Sequence, residues 1–221
     1  MEEPVEIEVG SIHLEGRLAV PAAPPTAGVA LCHPHPLYGG DMDNPVVVRA
    51  TDVCGAAGLA TLRFNWRGVG KSGGIHDRGE GEQEDVLGAL ALLGKALGPT
   101  TPLGVIGYSF GAWVGSRVAC SHDRVSGVVA IAPPLAFYDF GFLRTCRKRP
   151  LLLAGSRDPY CPKMEFEGLV AGIPGAAARV IEGADHFFFG KLYPLGEAVA
   201  AWAHGFSESS PGKAGRSRGA G

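Results

Sequence analysis

Two stretches near the start of the chain alternate apolar and polar residues, and later runs are largely apolar. The alternating stretches, residues 5–9 and 12–20, flank Gly10-Ser11 and predict an antiparallel hairpin at the edge of a sheet. Strands that are apolar on both faces are typical of a parallel sheet covered by helices on each side. Six short runs of this kind follow, at 28–32, 59–64, 103–107, 125–132, 151–155 and 177–182.

The intervals between these runs carry the spacing of helices. Apolar residues recur every three or four positions over 86–97, 110–118 and 195–206, and a further helix is predicted near 45–57. Alternating strands and helices predict an α/β fold, with a mostly parallel sheet of about eight strands and helices on both faces.

The length of the chain and the composition of its C-terminus define the domain organisation. A chain of 221 residues suits a single domain, which we assign to residues 1–206. Residues 207–221 contain no apolar side chain larger than that of Ala, so they predict a disordered C-terminal tail. About 18 residues separate the run at 125–132 from the run at 151–155, which is too few for a large lid domain.

Composition and charge argue against nucleic-acid and membrane partners. The net charge is −2, and no apolar stretch reaches the roughly 18 residues of a membrane span. Residues 1–8 are acidic and lack the features of a secretion signal, so we expect a cytoplasmic protein. Five cysteines without a CxxC pair, mostly in apolar surroundings, predict buried reduced thiols rather than disulfides.

A serine with one glycine two positions before it and another two positions after it lies between the third apolar run and the helix that follows. The pentapeptide GYSFG at 107–111 predicts, in this context, a nucleophile elbow with Ser109 on a tight, strained turn. The glycines allow the strand and the helix to approach closely, and the helix N-terminus supplies N–H donors where an oxyanion would form. The alternative is a Gly/Ser turn that only caps a helix.

An acid and a histidine follow Ser109 in the chain order that such an elbow requires. Asp158 comes after the fifth apolar run, and His186 comes after the sixth. In the predicted site His186 accepts the Ser109 proton, while Asp158 orients the imidazole and stabilises its charged form. Asp185 is the less favoured acid, because adjacent side chains on a loop rarely reach each other. Considered one at a time, Asp158 is explained equally well as a carboxylate that stabilises a turn, and His186 is explained equally well as an ordinary loop histidine.

An oxyanion hole requires two N–H donors, and the first is the amide after the nucleophile, that of Phe110. The second must come from the loop CHPHPLYGG at 32–40, whose prolines have no N–H to donate. His35 is the first choice for this second donor and Leu37 is the next.

Two segments resemble binding motifs without completing them. His33 and His35 lack a third zinc ligand other than distant His76, so we expect no metal and assign these histidines to bracing the loop. The sequence GKS at 70–72 resembles the end of a phosphate-binding loop, but Asn65 stands where the leading glycine is required. No nucleotide or other cofactor is therefore expected.

Aromatic side chains in the loops after the strands are candidates for lining a substrate pocket. We single out Tyr38, Tyr108, Phe137 and Phe187. Aromatic residues near strand ends also fill hydrophobic cores, so this assignment depends on how the loops fold.

Four motifs together make the chain similar to the α/β-hydrolase superfamily over nearly all of residues 5–206. They resemble a compact, lidless bacterial group close to dienelactone-hydrolase-like and prolyl-oligopeptidase-like hydrolases. The resemblance implies a triad of Ser109, Asp158 and His186 and an oxyanion loop at 33–37. Dienelactone hydrolases proper have a cysteine nucleophile, so cleavage of their substrate is not expected here. The motifs are CHPHPLYGGDMDN at 32–44, LRFNWRGVGKSGG at 62–74, GEQEDV at 81–86 and GYSFG at 107–111.

The resemblance implies a serine hydrolase, and we expect a carboxylesterase that cleaves small short-chain esters through an acyl-serine intermediate. A thioesterase or a small peptidase would use the same triad. A different class, a non-catalytic binding module on the same fold, usually lacks one of the three residues. The expected partner is a small ester molecule, and the chain is expected to be a monomer or a homodimer.

Overall fold

The computed structural model describes residues 1–208, which form an eight-stranded sheet and five α-helices. The helices are α1 (Pro45–Ala56), α2 (Gly81–Leu97), α3 (Phe110–Ser121), α4 (Lys163–Ala171) and α5 (Leu192–Glu208). The strands are β1 (Glu3–Val9), β2 (Ile12–Ala19), β3 (Gly28–Cys32), β4 (Ala60–Phe64), β5 (Leu103–Tyr108), β6 (Val125–Ile131), β7 (Leu151–Gly155) and β8 (Ala177–Ile181).

The sheet has the order β1-β2-β4-β3-β5-β6-β7-β8. Strands β3 to β8 are parallel, whereas β2 runs antiparallel to both β1 and β4. The predicted hairpin, the six parallel strands and the α/β class are all confirmed. Because the parallel strands all end at one edge, the loops that carry the predicted site residues gather there.

Helices cover both faces of the sheet, and side chains alternate between two cores. Val29 and Leu31 of β3 pack in the core under α1 and α5, whereas Ala30 and Cys32 pack in the core under α2 and α3. This alternation explains why the run is apolar at every position, since both faces of the strand are buried. Helix α4 closes a smaller third cluster through Phe166 and its neighbours.

The connection between β6 and β7 contains no inserted domain. It holds only a short 3₁₀ helix, Gly141–Thr145, so this connection places no lid over the carboxyl edge of the sheet. Within residues 1–208, no helix combines the length and the hydropathy that crossing a bilayer would require.

The last helix extends slightly beyond the predicted end of the domain. Helix α5 continues to Glu208, and the hydroxyl of buried Ser207 shares a hydrogen bond of 2.7 Å with Thr26 Oγ1. Residues 207 and 208 therefore belong to the helix rather than to the predicted tail. The rest of that predicted tail, residues 209–221, lies outside the described residues.

One expectation about the cysteines is wrong. Cys120 and Cys146 form a disulfide, with their Cα atoms 5.2 Å apart. Cys120 lies in the last turn of α3 and Cys146 directly follows the 3₁₀ helix, so the pairing arises from the packing of two elements and leaves no mark in sequence spacing. Cys32, Cys54 and Cys161 are buried free thiols, as expected.

Candidate active site

Ser109 occupies a strained turn between β5 and α3. Its φ of 55° and ψ of −119° are unusual for a residue with a side chain. A Cβ at Gly107 would overlap the carbonyl oxygen of Gly111, and a Cβ at Gly111 would overlap that of Cys32. The two glycines of GYSFG are therefore required by close backbone approaches, which hold the serine at the carboxyl edge of the sheet.

The three residues predicted as a triad form one continuous chain of hydrogen bonds. Asp158 Oδ2 lies 2.8 Å from His186 Nδ1, and His186 Nε2 lies 2.9 Å from Ser109 Oγ. A carboxylate only accepts hydrogen bonds, so Nδ1 carries the ring proton and Nε2 is left to accept the hydroxyl proton. All three side chains are buried, which limits competition from water.

The acid loop and the histidine loop are held together by their backbones. Arg157 N–H donates to the carbonyl oxygen of Ala184, at 2.8 Å. Gly155, at the end of β7, lies so close to the same carbonyl that a Cβ would overlap it. The relative position of Asp158 and His186 therefore depends on a glycine that takes no part in their hydrogen bonds.

The acid is also fixed by its own loop. Asp158 Oδ1 accepts hydrogen bonds from the amides of Tyr160, at 2.8 Å, and Cys161, at 3.2 Å. Asp185, in contrast, accepts from the amides of Phe187 and Phe189 and so stabilises the turn after the histidine. This arrangement agrees with the preference for Asp158 as the acid.

Tyr108 holds the backbone of His186 in place through a hydrogen bond. Its hydroxyl donates to the carbonyl oxygen of His186 at 2.9 Å, and the two rings lie 5.7 Å apart. Burial raises the pKa of the Tyr108 phenol, so the hydroxyl keeps its proton and remains a donor. Tyr108 was predicted to bind substrate; the structure places it in the pocket wall but commits its hydroxyl to the histidine loop.

Two residues of the cavity wall, His35 and Phe110, have backbone amides that are free to donate. Among residues 1–208, neither the amide of Phe110 nor that of His35 has a hydrogen-bond acceptor, and the two rings lie 4.8 Å apart. The amide of Leu37 already donates to His35 Nδ1 at 3.2 Å, which favours His35 over Leu37 as the second donor. The N-terminus of α3 adds a partial positive charge at the same place.

His33 braces the loop from within the core. Its Nδ1 donates to the Pro34 carbonyl oxygen at 2.7 Å, and its Nε2 accepts from the amide of Trp66 at 3.0 Å. The indole N–H of Trp66 donates in turn to the His33 carbonyl oxygen. Burial lowers the pKa of His33 to about 3, so the ring stays neutral.

The other histidines on this side do not form a metal cluster. His76 is distant from His35 in sequence, but the two rings lie 4.9 Å apart, and His76 Nδ1 lies 2.7 Å from a carboxylate oxygen of buried Glu82. Both nitrogens of His33 are already bonded. Across residues 1–208, no group of three or more His, Cys, Asp or Glu side chains is placed to hold a metal ion.

The segment that resembles a phosphate-binding loop is fastened to the body of the protein by polar side chains. Asn65 accepts from the amide of Met42 and donates to the Glu15 carboxylate. Arg67 forms an ion pair with buried Asp85, in which its Nε and Nη2 both donate to Oδ1. These bonds commit the side chains of Asn65 and Arg67 to holding the segment in place.

A cavity of about 610 Å³ opens above Ser109 and His186. Tyr38, Tyr108, Phe137 and Phe187 all line it, as predicted. The sequence reasoning missed Tyr160, Asn44 and Pro134, which also belong to the wall. Tyr160 stands two positions after the predicted acid, a place that could have suggested it, whereas nothing in the sequence singles out the other two, Asn44 and Pro134.

Comparison with known sequences gives related proteins over most of the chain. A sequence model of the alpha/beta hydrolase fold matches residues 49–149. An uncharacterized protein of Rickettsia prowazekii is 35% identical over 196 residues, which cover 84% of this chain and 82% of that protein.

Solved structures of serine hydrolases are also similar to this chain over most of its length. An alpha-beta serine hydrolase homologue from Coxiella burnetii is 33% identical, with a TM-score of 0.84, and the alignment covers 90% of this chain and 96% of that one. A serine hydrolase without a lid from Xanthomonas campestris is 27% identical, with a TM-score of 0.82, over 93% and 94% of the two chains. These likenesses support hydrolase activity on a lidless architecture.

Proposed function

Because this chain belongs to the α/β-hydrolase family, we propose that it is a serine hydrolase that cleaves small carboxylic esters, with Ser109, His186 and Asp158 as its triad. The observation that carries the proposal is the unbroken hydrogen-bonded chain from Asp158 Oδ2 to Ser109 Oγ. This series of hydrogen bonds ends at an open cavity, and the residues that line the cavity include Phe110 and His35, whose amides have no acceptor among the described residues.

In the first half of the proposed reaction, Ser109 Oγ attacks the carbonyl carbon of the ester while His186 Nε2 takes the hydroxyl proton. The negative charge that develops on the carbonyl oxygen is stabilised by the amides of Phe110 and His35, and each such donor contributes about 3 kcal/mol in serine hydrolases. Collapse of the tetrahedral intermediate breaks the acyl C–O bond. His186 then gives its proton to the leaving alcohol, which departs.

In the second half, water replaces the alcohol. His186 removes a proton from the water as it attacks the acyl-Ser109 carbonyl, and it returns the proton to Oγ when the acid leaves. Asp158 accepts from Nδ1 throughout and stabilises the charged imidazole. No step requires a group other than the chain, the ester and water.

An ester is favoured over a thioester or a peptide by the charge of the cavity. None of the described residues that line the cavity is Asp, Glu, Lys or Arg. A coenzyme thioester carries phosphates and a peptide end carries a charge, and both would need a compensating side chain when they are partly buried. A small neutral ester needs none.

The test is intact-mass spectrometry after exposure to a fluorophosphonate, which labels activated serines. We expect one adduct that maps to Ser109, and no adduct in Ser109→Ala or His186→Ala. Ser109→Ala should remain folded, because it removes one oxygen atom at the cavity wall. A folded wild-type protein that acquires no adduct would refute the triad and favour a binding module.

A further inference from the structure

The wall of the cavity next to His186 consists of aromatic rings. The ring of Tyr160 lies edge-on to the His186 imidazole at 4.9 Å, and that of Phe187 lies edge-on to it at 5.6 Å. Phe137 extends the wall through its contact with Tyr160, at 5.4 Å. The imidazole therefore stands at the centre of an aromatic cluster.

Two rings of this cluster leave much of their surface uncovered. Phe137 is 65% exposed and Phe187 is 54% exposed, although both line the cavity. Large apolar side chains at the mouth of a concave site offer an apolar area that a bound ring can cover. These rings are not part of the hydrophobic core, since neither belongs to its clusters.

The chemistry of the proposed reaction decides which part of the ester meets this wall. The leaving oxygen must come within hydrogen-bond distance of His186 Nε2 to receive its proton. The carbonyl oxygen must instead point to the amides of Phe110 and His35, the two donors proposed to stabilise its negative charge. The alcohol part of the ester therefore lies against the side chains that surround His186.

We propose that the preferred substrates are esters of neutral aromatic alcohols, such as benzyl esters, whose ring packs against Phe137, Tyr160 and Phe187. This inference rests on the proposed function and adds the substrate class. For benzyl acetate, the bond from Ser109 Oγ to the acyl carbon forms in the attack, and the acyl C–O bond breaks when the tetrahedral intermediate collapses. Benzyl alcohol leaves with the proton from His186, and water then releases acetate.

The experiment compares benzyl acetate with its isomer methyl phenylacetate. The two esters have the same atoms, but the ring lies on the alcohol side in the first and on the acyl side in the second. We expect kcat/KM to be about tenfold higher for benzyl acetate, the size of effect that one or two favourable ring contacts give. Cyclohexylmethyl acetate has a ring of similar size without π electrons, and we expect it to be cleaved more slowly than benzyl acetate.

Variants locate the effect in the structure. Phe137→Leu and Phe187→Leu should each lower kcat/KM for benzyl acetate about three- to tenfold while changing that for methyl phenylacetate less. Phe189→Leu is the matched control, because Phe189 is a 78% exposed ring on the same loop and does not line the cavity. It should leave the ratio of the two substrates unchanged.

The fluorophosphonate adduct distinguishes failure of the aromatic-alcohol preference from failure of the proposed esterase function. If Ser109 is labelled but the isomers react equally, or methyl phenylacetate reacts faster, the aromatic-alcohol preference is refuted while the esterase proposal stands. Equal rates for the benzyl and cyclohexylmethyl esters would refute the aromatic part of the preference. A labelled enzyme that cleaves none of these esters also refutes the preference. Absence of both adduct and turnover refutes the proposed function and the inference with it.

Discussion

At the residue scale, the hydrogen bonds already made by each carboxylate and imidazole determine what is left for chemistry. Asp158 has one oxygen for its own loop and one for His186. Asp185 accepts at Oδ1 from two amides of the turn that follows it and makes no hydrogen bond to His186 among the described residues. Two neighbouring carboxylates near the same histidine therefore have different structural roles.

Substitution of each carboxylate by its amide tests this difference. We expect Asp158→Asn to lower kcat for benzyl acetate by about 10³- to 10⁴-fold, because Asn cannot stabilise the charged imidazole and favours the wrong tautomer. Asp185→Asn keeps an acceptor oxygen for the two turn amides, so its effect should stay within about tenfold. Steady-state kinetics measure both, and equal losses in the two variants would contradict the assignment.

His33 gives a prediction about stability and pH. Burial lowers its pKa from 6.5 to about 3 in the folded state. Between these values the unfolded chain binds more protons, so the free energy of unfolding decreases as the pH falls, by up to about 1.4 kcal/mol per pH unit. This contribution of His33 to stability is complete above its unfolded pKa and is lost on acidification.

The variant His33→Gln isolates that contribution, since its amide oxygen can still accept from Trp66 N–H. Urea unfolding of both proteins between pH 6.5 and about 4.5 should give a slope against pH that is shallower in the variant by about 1 kcal/mol per unit. Carboxylates affect both proteins alike and cancel in the comparison. Identical slopes would show that His33 does not titrate on unfolding.

At the scale of elements, backbone approaches at glycines position the loops. A Cβ at Gly155 would overlap the Ala184 carbonyl oxygen, whereas one at Gly55, inside α1, would meet nothing within 4 Å. The first glycine connects the acid loop to the histidine loop, and the second lies in an ordinary helical position. The pair thus offers a test and its control.

We expect Gly155→Ala to lower both the melting temperature and kcat/KM for ester hydrolysis, because the histidine loop must move away from Asp158. A displacement of about 1 Å is enough to cost roughly 10²-fold in rate. Gly55→Ala should instead leave kinetics unchanged and raise stability by about 0.5 to 1 kcal/mol. Wild-type kinetics in the first variant would show that the two loops adjust independently.

The elements themselves were largely readable in the sequence, and the site followed from them. Strands β3 to β7 are buried at nearly every position, and this left continuous apolar runs, whereas β8 is exposed except at Ile181. Ser109, Asp158 and His186 could each be assigned to the end of a strand. Helix α4 was not predicted, because it is short and only Phe166 and Leu169 of its side chains are buried. A pattern of two buried positions is too weak to distinguish a helix from a loop.

At the scale of the whole molecule, the features that could not be predicted from the sequence are those formed where segments distant in sequence come into contact. The cavity wall combines residues from loops separated by more than a hundred positions, such as Asn44 and Tyr160. The disulfide joins residues 26 positions apart, one in α3 and one directly after the 3₁₀ helix. Neither produces a local pattern, and both depend on how the elements pack.

The disulfide also leads to a prediction about the stability of the whole protein. Closing a loop of this length restricts the unfolded chain, so reduction should lower the free energy of unfolding by about 3 kcal/mol. Urea unfolding with and without a thiol reductant measures the difference. The double variant Cys120→Ser, Cys146→Ser should be insensitive to the reductant, and an equally insensitive wild type would show that the bond does not form.

The glycines of the site have a consequence for how this gene can vary. Every amino-acid replacement that a single base change can produce at a glycine codon adds a Cβ. At Gly107, Gly111 and Gly155 that atom would meet backbone rather than a side chain that can turn aside. In a saturation library selected for ester hydrolysis, these three codons should be as intolerant as that of Ser109, although the glycines carry no chemistry.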